Sequence, residues 1–258
     1  MSQKVCWVTF AIDYQWDQRT CSWANLLIFS HSFMKFSSAV SVGSEIYFLH
    51  GCPWPGRNLW FFDTRSGTLQ MGPSMKNARL TSSGSGRWED IPEEKVQCKS
   101  RFSASLEHKV YMVDSLHGRI SAYTPREGIS NEATESQSDK MNCLCVVENV
   151  IYACFKSSGL MWYFDTKLKL WRRLVDSDGK VIFYSFNAEK MAEYEGKLAV
   201  FWSQINTDHA LMKMDIRCRM IALDRVGEEI RGKIEWSGIM ATCSYDITLR
   251  HCLVVSAD

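Results

Sequence analysis

One short aromatic phrase occurs twice in this chain. Leu59-Trp60-Phe61-Phe62-Asp63-Thr64 returns as Met161-Trp162-Tyr163-Phe164-Asp165-Thr166, displaced by 102 positions, with an aromatic residue in every matched aromatic place. Upstream of each copy lies a second shared stretch: Ala39 to Leu49 resembles Leu144 to Cys154 around Ile46-Tyr47 and Ile151-Tyr152. Two more stretches, Ser105 to Val113 and Glu193 to Phe201, follow the same scheme. With Ile46, Val110, Ile151 and Leu198 taken as equivalent, the spacings are 64, 41 and 47 residues. A chain with such internal repeats has to build the same small unit several times.

Each unit reads as an apolar segment, a turn of Gly, Asn, Lys or Glu, a second apolar segment, a polar loop and an aromatic strand. Apolar runs of about four to six residues suit strands and are too short for independent helices. A small sheet of this kind has two faces to cover and exposed edges, so it is not stable alone. Packing four-stranded sheets radially covers both faces, which is the β-propeller solution, with a stacked solenoid as the alternative. The expected fold is an all-β propeller of five to six blades, at least one of them incomplete. Two regular periods of about 40 to 47 residues would separate Ile46 from Val110 by more than the 64 observed.

The rest of the composition narrows the function class. The 258 residues, 46% of them hydrophobic, suffice for a sizeable core, and 30 basic against 29 acidic residues leave a net charge of +1. No overall field draws such a chain to nucleic acid or to an anionic membrane. The apolar run Val5 to Ile12 is far shorter than the roughly 20 residues of a spanning helix, and it imitates a signal peptide poorly. Ten cysteines spread from Cys6 to Cys252 without a dense framework, and no Asn-X-Ser/Thr sequon occurs. Reduced thiols and a cytoplasmic or nuclear location are expected.

On Gly43-Ser44-Glu45-Ile46-Tyr47-Phe48-Leu49-His50-Gly51, Trp60 to Asp63, Gly72 to Arg79, Leu160 to Asp165, Trp171-Arg172-Arg173 and Ile221 through Trp236, the chain resembles the kelch-repeat region of plant F-box/kelch-repeat proteins. The resemblance covers most of Phe36 to Trp236. After Asn77-Ala78-Arg79 it jumps to Ser85 to Pro92, which looks like the closing strand of the next unit, so a glycine-pair strand is missing and one blade is expected to be incomplete. The family's amino-terminal F-box, a helical module that docks on a Skp-type adaptor of a cullin ubiquitin ligase, is not visible in Met1 to Phe36. That stretch has no proline and carries Trp7, Trp16 and Trp23. The expected division is a partial blade over 1–35, a propeller over 36–245 and a strand or tail over 246–258.

Candidate chemistry gives way to structural roles. Asp63 and Asp165 sit at matched positions after an aromatic strand and read as turn formers. Trp88, Trp171 and Trp236 read as one large packing residue per unit. Cys143 and Cys145 share a face of a strand, yet no nearby ligands complete a tetrahedral zinc site, so Cys145 and Cys154 read as small hydrophobes. The histidines at 31, 50, 108, 117, 209 and 251 are dispersed. Ser83-Gly84-Ser85-Gly86 lacks the Gly-Lys-Ser/Thr ending of a phosphate loop. Glu127 to Asp139 reads as an exposed connection, and Lys167, Lys169, Arg172 and Arg173 as a solvated outer edge.

No catalytic, cofactor-binding or metal-binding residue is assigned, and the partner-binding residues are unknown. The resemblance implies a non-enzymatic protein-interaction module, the substrate-recognition propeller of a ubiquitin ligase, with a protein partner on its loops. The Skp-type adaptor expected for the family is in doubt for lack of an F-box. Two alternatives are an enzyme with a site in the central channel and a degenerate, truncated family member without stable function.

Overall fold

A computed structural model describes residues 3–11, 24–29, 38–42, 44–49, 59–72, 101–107, 109–114, 118–124, 128–132, 139–156, 159, 161–182, 188–207, 213–244 and 248–257. All the regular elements among them are strands. In chain order these are β1 (Gln3–Ala11), β2 (Ala24–Phe29), β3 (Ser38–Val42), β4 (Glu45–Leu49), β5 (Leu59–Asp63), β6 (Thr68–Met71), β7 (Arg101–Leu106), β8 (Lys109–Asp114), β9 (Ile120–Thr124) and β10 (Gly128–Glu132). They continue as β11 (Met141–Val147), β12 (Val150–Phe155), β13 (Met161–Asp165), β14 (Leu170–Arg173), β15 (Lys190–Tyr194), β16 (Lys197–Asn206), β17 (Lys213–Val226), β18 (Glu229–Ser244) and β19 (Thr248–Ala257).

Four successive runs of four strands form four antiparallel meanders, β3 to β6, β7 to β10, β11 to β14 and β15 to β18, each in sequence order; β19, β1 and β2 make a sheet of three. In the last of these, β1 runs antiparallel to β19 and parallel to β2. Ile46, Val110, Ile151 and Leu198 are each the second residue of the second strand of a four-stranded sheet. The repeat read from the sequence is therefore a repeat in space. Residues gather into two compact units: Met1–Ser82, Phe201–Cys218 and Ser237–Asp258 in one, Ser83–Val200 and Arg219–Trp236 in the other.

In the first unit, Ile46 and Phe48 project from one face of β4 and pack with Phe62; Ala39, Trp60, Leu69 and Leu253 close around them. Backbone register explains the set, since Ile46 faces Phe62, Phe48 faces Trp60, and Phe62 faces Leu69. The second unit places the matched residues identically. Ile151 faces Phe164, Ala153 faces Trp162 and Phe164 faces Trp171, and all five lie in or against one core.

Strand β12 is buried along its whole length. Because alternate side chains of a strand point to opposite faces, it serves two cores. Ile151, Ala153 and Phe155 join Leu106, Tyr111, Val113, Ile120 and Ala122 of the preceding sheet. Val150, Tyr152 and Cys154 join Met191, Leu198, Val200, Ile221 and Ile230 of the following one. Fully burying an aliphatic or aromatic side chain of this size contributes about 1.5–3 kcal/mol, so a sheet covered on both faces is held largely by its neighbours.

Two sequence expectations need correction. Gly128–Glu132, expected within an exposed connection, forms β10 and pairs with β9 from Gly128–Thr124 to Glu132–Ile120. The outermost strand of a sheet can be held by its backbone ladder without apolar side chains, so composition did not reveal it. Trp236, expected as a packing residue, is among the exposed large hydrophobics. The place that Trp171 fills lies six residues after Asp165, and six residues after Asp224 stands Ile230, which is buried instead. Trp88, the 83–86 glycine-serine stretch, Asn77 to Arg79 and the Ser85 to Pro92 closing strand lie outside the described residues.

Gly232 shows how tightly the second unit is filled. Its N–H donates to the Val175 carbonyl at 2.8 Å, and a Cβ there would stand 2.6 Å from Ile182 Cδ1, 3.0 Å from Ile221 Cγ2 and 3.1 Å from Leu174 Cδ2. Gly232→Ala should destabilise the protein by about 1–3 kcal/mol through overpacking. A urea titration would show this as a lower midpoint at unchanged slope.

Candidate partner-binding surface

In an antiparallel four-stranded meander, the turn between the first and second strands and the turn between the third and fourth lie at the same end of the sheet. In the first unit the Thr64 N–H and hydroxyl both donate to the Ser44 carbonyl, at 3.0 and 2.6 Å, tying two such turns together. In the second unit β11 packs beside β7 and β15, so the first strands of its sheets are neighbours and their turns gather at one end.

The first turn of each sheet is two residues long: Val42 pairs with Glu45, Leu106 with Lys109 and Val147 with Val150. Such loops match the strand twist only with positive φ at the central residues. Glu107, Glu148, Asn149 and Glu195 take φ of 48°, 46°, 62° and 51°, and all four are exposed. Gly196, which closes the third of these turns in the second unit, donates its N–H to Glu193 Oε1 at 2.9 Å.

The second turns are organised by aspartate, as the sequence predicts. Asp63 accepts from the Arg65 N–H and the Ser66 hydroxyl, both at 2.9 Å. Asp165 accepts from the N–H groups of Lys167 and Leu168, both at 3.0 Å. The Arg65 N–H is the largest influence holding the Asp63 carboxyl below its ordinary 3.8, followed by the Ser66 hydroxyl. The sign follows from linkage: a depressed folded-state value adds stability above pH 3.8, which is lost as the pH falls through the depressed value. A carboxyl-carbon NMR titration should find Asp63 titrating below ordinary aspartate in the folded chain, and a value at or above the ordinary one would contradict this turn geometry.

The basic residues singled out in the sequence lie on the outer strand β14 and the turn before it. Arg172 reaches Asp165 Oδ2 at 3.5 Å and Glu229 Oε1 at 3.3 Å, joining this turn to the start of β18. The Arg173 guanidinium lies 5.2 Å from the centre of the Trp162 ring. Trp171 points inward: it is 6% exposed, and its indole N–H donates to the Gly118 carbonyl at 2.9 Å. That bond fixes one sheet's outer strand to the loop of the sheet before it.

Thiols show the same structural character. Cys143 and Cys154 face each other across β11 and β12 and are buried with Tyr152 and Met161, with Cys145 packed against them. Burial pushes the Cys143 thiol well above its ordinary value, and the Cys154 hydrogen bond adds to the rise. A nucleophilic thiolate is disfavoured there. Burial likewise pushes the Tyr152 hydroxyl up. Of the six histidines only His251 is among the described residues, its ring 6.4 Å from Phe48. Among the described residues no group of three or more His, Cys, Asp or Glu is placed to hold a metal ion.

One polar cluster was not anticipated from the sequence. Asp215, 3% exposed, accepts from Asn206 Nδ2 on both oxygens at 3.1 Å and from the Thr242 hydroxyl at 2.7 Å, with Arg217 at 3.7 Å. Burial, helped by Asp215, pushes the neighbouring Cys243 thiol up to about 12. The cluster draws on three strands, β16, β17 and β18. Its only linear signal is an aspartate inside the apolar alternation Met214, Ile216, Cys218.

Residues 84–241 match the FKB95, Kelch-repeats domain family. An F-box/kelch-repeat protein of Arabidopsis thaliana is 37% identical over 88% of this chain and 73% of its own length. The chain belongs to the F-box/kelch-repeat family. A second Arabidopsis thaliana F-box/kelch-repeat protein is 30% identical over 93% of this chain and 73% of its own, and a third is 30% identical over 85% and 65%. Among solved structures, that of YCF48 bound to D1 peptide superposes with a TM-score of 0.41 at 10% identity over 86% of each chain. Kelch repeats and successive four-stranded meanders together make the fold class an all-β, kelch-type β-propeller. In this F-box/kelch-repeat chain the aspartate turns, the inward Trp171 and the two-faced β12 are parts of the blade.

Proposed function

We propose that the chain is a non-enzymatic protein-interaction module, the substrate-recognition part of a cullin-based ubiquitin ligase, acting in the cytoplasm or nucleus. The observation that carries this reading is its membership of the F-box/kelch-repeat family. The site chemistry agrees with it, because the carboxylates and thiols described above have structural work in turns and cores. Residues 1–35 are read as a partial blade, 36–245 as the propeller and 246–258 as a strand or tail; the pairing of β1 with β19 supports joining the first segment to the last. No helix among the described residues is long and apolar enough to cross a membrane.

The test is a fusion of this chain behind the F-box of one of its relatives, expressed in plant cells. The fusion should co-purify with the adaptor and place ubiquitin on a set of proteins that the F-box alone does not modify. An identical conjugate profile with and without the chain would reject the reading. Copper or zinc bound stoichiometrically to the purified chain would favour an enzyme, and unfolding without cooperativity would favour a degenerate product.

A further inference from the structure

Cys143 on β11 and Cys154 on β12 stand directly opposite each other in the antiparallel ladder. Both are free thiols, and both lie in the same core, 3% and 1% exposed. Opposite residues of such a ladder present their side chains on one face of the sheet, with Cα atoms about 4.5 or 5.5 Å apart according to the kind of pair. A disulfide accepts about 4.4–6.8 Å between Cα atoms. The backbone therefore already holds the two sulfurs where a bridge can form by side-chain rotation. Cys145 is not so placed: it packs against the same core, but its register partner is Tyr152, and a diagonal neighbour about 7–8 Å away is beyond that reach.

The other sheets are an internal control. Four positions outward from the two-residue turn, where β11 and β12 carry Cys143 and Cys154, β3 and β4 carry Ser38 and Leu49, and β7 and β8 carry Phe102 and Val113. The blade is built elsewhere without sulfur at this place, so packing does not call for two facing thiols. Their present contacts are weak as well. Cys143 Sγ donates to the Ala188 carbonyl at 3.6 Å and Cys154 Sγ to the Phe155 carbonyl at 4.0 Å, contacts that a thiol gives up at little cost.

We propose that Cys143 and Cys154 are a redox-sensitive dithiol that hydrogen peroxide converts to a cross-strand disulfide. In the first step one sulfur attacks a peroxide oxygen, the O–O bond breaks, and a sulfenic acid and one water result. In the second the facing sulfur attacks the sulfenic sulfur, the S–S bond forms, the S–O bond breaks and a second water leaves. Two thiols are oxidised and one peroxide is reduced to two waters. Burial, which holds the Cys143 thiol well above its ordinary value, makes the first step slow, so the bridge answers sustained rather than brief oxidation. Once formed, it closes the hairpin that carries the exposed Glu148-Asn149 turn.

The test treats the folded, purified full chain with hydrogen peroxide, blocks the remaining thiols, and then unfolds and digests it. Trypsin with a glutamate-specific protease cuts after Lys140, Glu148 and Lys156, which separates Cys154 from the fragment that holds Cys143 and Cys145. Non-reducing mass spectrometry should find the two fragments joined, lighter by two hydrogens than their sum, and parted again by dithiothreitol. Fragmentation of the joined species should place the bridge on Cys143. Cys145→Ala should keep the product, whereas Cys143→Ala and Cys154→Ala should each lower its yield roughly tenfold or more. Absence of the joined fragments, a bridge placed on Cys145, an unchanged yield in Cys143→Ala, or sulfinic and sulfonic acids in place of the bridge would overturn the proposal. The parent's fragmentation pattern decides between Cys143 and Cys145 even where a variant folds poorly.

Discussion

Trp171→Ala should lower the unfolding free energy by about 3–5 kcal/mol, the range for removing a large buried aromatic side chain. The indole sits 5.9 Å from the Phe155 ring, nearly perpendicular at 86°, and 5.4 Å from Phe164. It fills the core shared by the β7 to β10 and β11 to β14 sheets. Against a total stability of about 5–15 kcal/mol for an ordinary domain, such a loss is from a fifth or so to nearly all of the whole. Trp171→Phe isolates the polar part: it keeps most of the apolar bulk and leaves the Gly118 carbonyl without its donor, for about 1–3 kcal/mol. Urea midpoints for the two variants measure both quantities. A Trp171→Ala loss below about 1 kcal/mol, the scale of a surface change, would mean that the ring does not fill that core.

Asp215→Ala should be comparably severe, at about 3–5 kcal/mol, since breaking a buried charged network leaves its partners uncompensated. The Asn206 amide, the Thr242 hydroxyl and the Arg217 guanidinium would all lose their acceptor. Asp215→Asn keeps the shape and one acceptor oxygen and should fall between the parent and the alanine variant. Thermal unfolding followed by circular dichroism would rank the three. Equal stabilities would show that these donors find other partners, which would contradict the packing around Asp215.

The repeat was legible because strand burial writes itself into a period of two and because each sheet needs the same few bulky side chains. Ile46, Phe48, Trp60 and Phe62 gather in one core, and their counterparts Ile151, Ala153, Trp162 and Phe164 gather in another, by register alone. Asp63 and Asp165 were legible as well, because an aspartate turn closes within four residues and needs nothing distant. The β10 strand was not, since an outer strand is held by its backbone. Trp236 is not the packing residue its type suggests, because Ile230 holds the spacing that Trp171 has and is buried there.

By itself the sequence determined that this protein would be built from repeated small antiparallel sheets, because alternation, short runs and turn residues act over a few positions; the kelch type came from the resemblance of its motifs to a family. The tertiary structure alone decided which sheet face meets which, that β12 serves two cores, and that Asn206, Asp215 and Thr242 converge. Those outcomes depend on contacts between residues far apart in the chain, where no local preference distinguishes one partner from another.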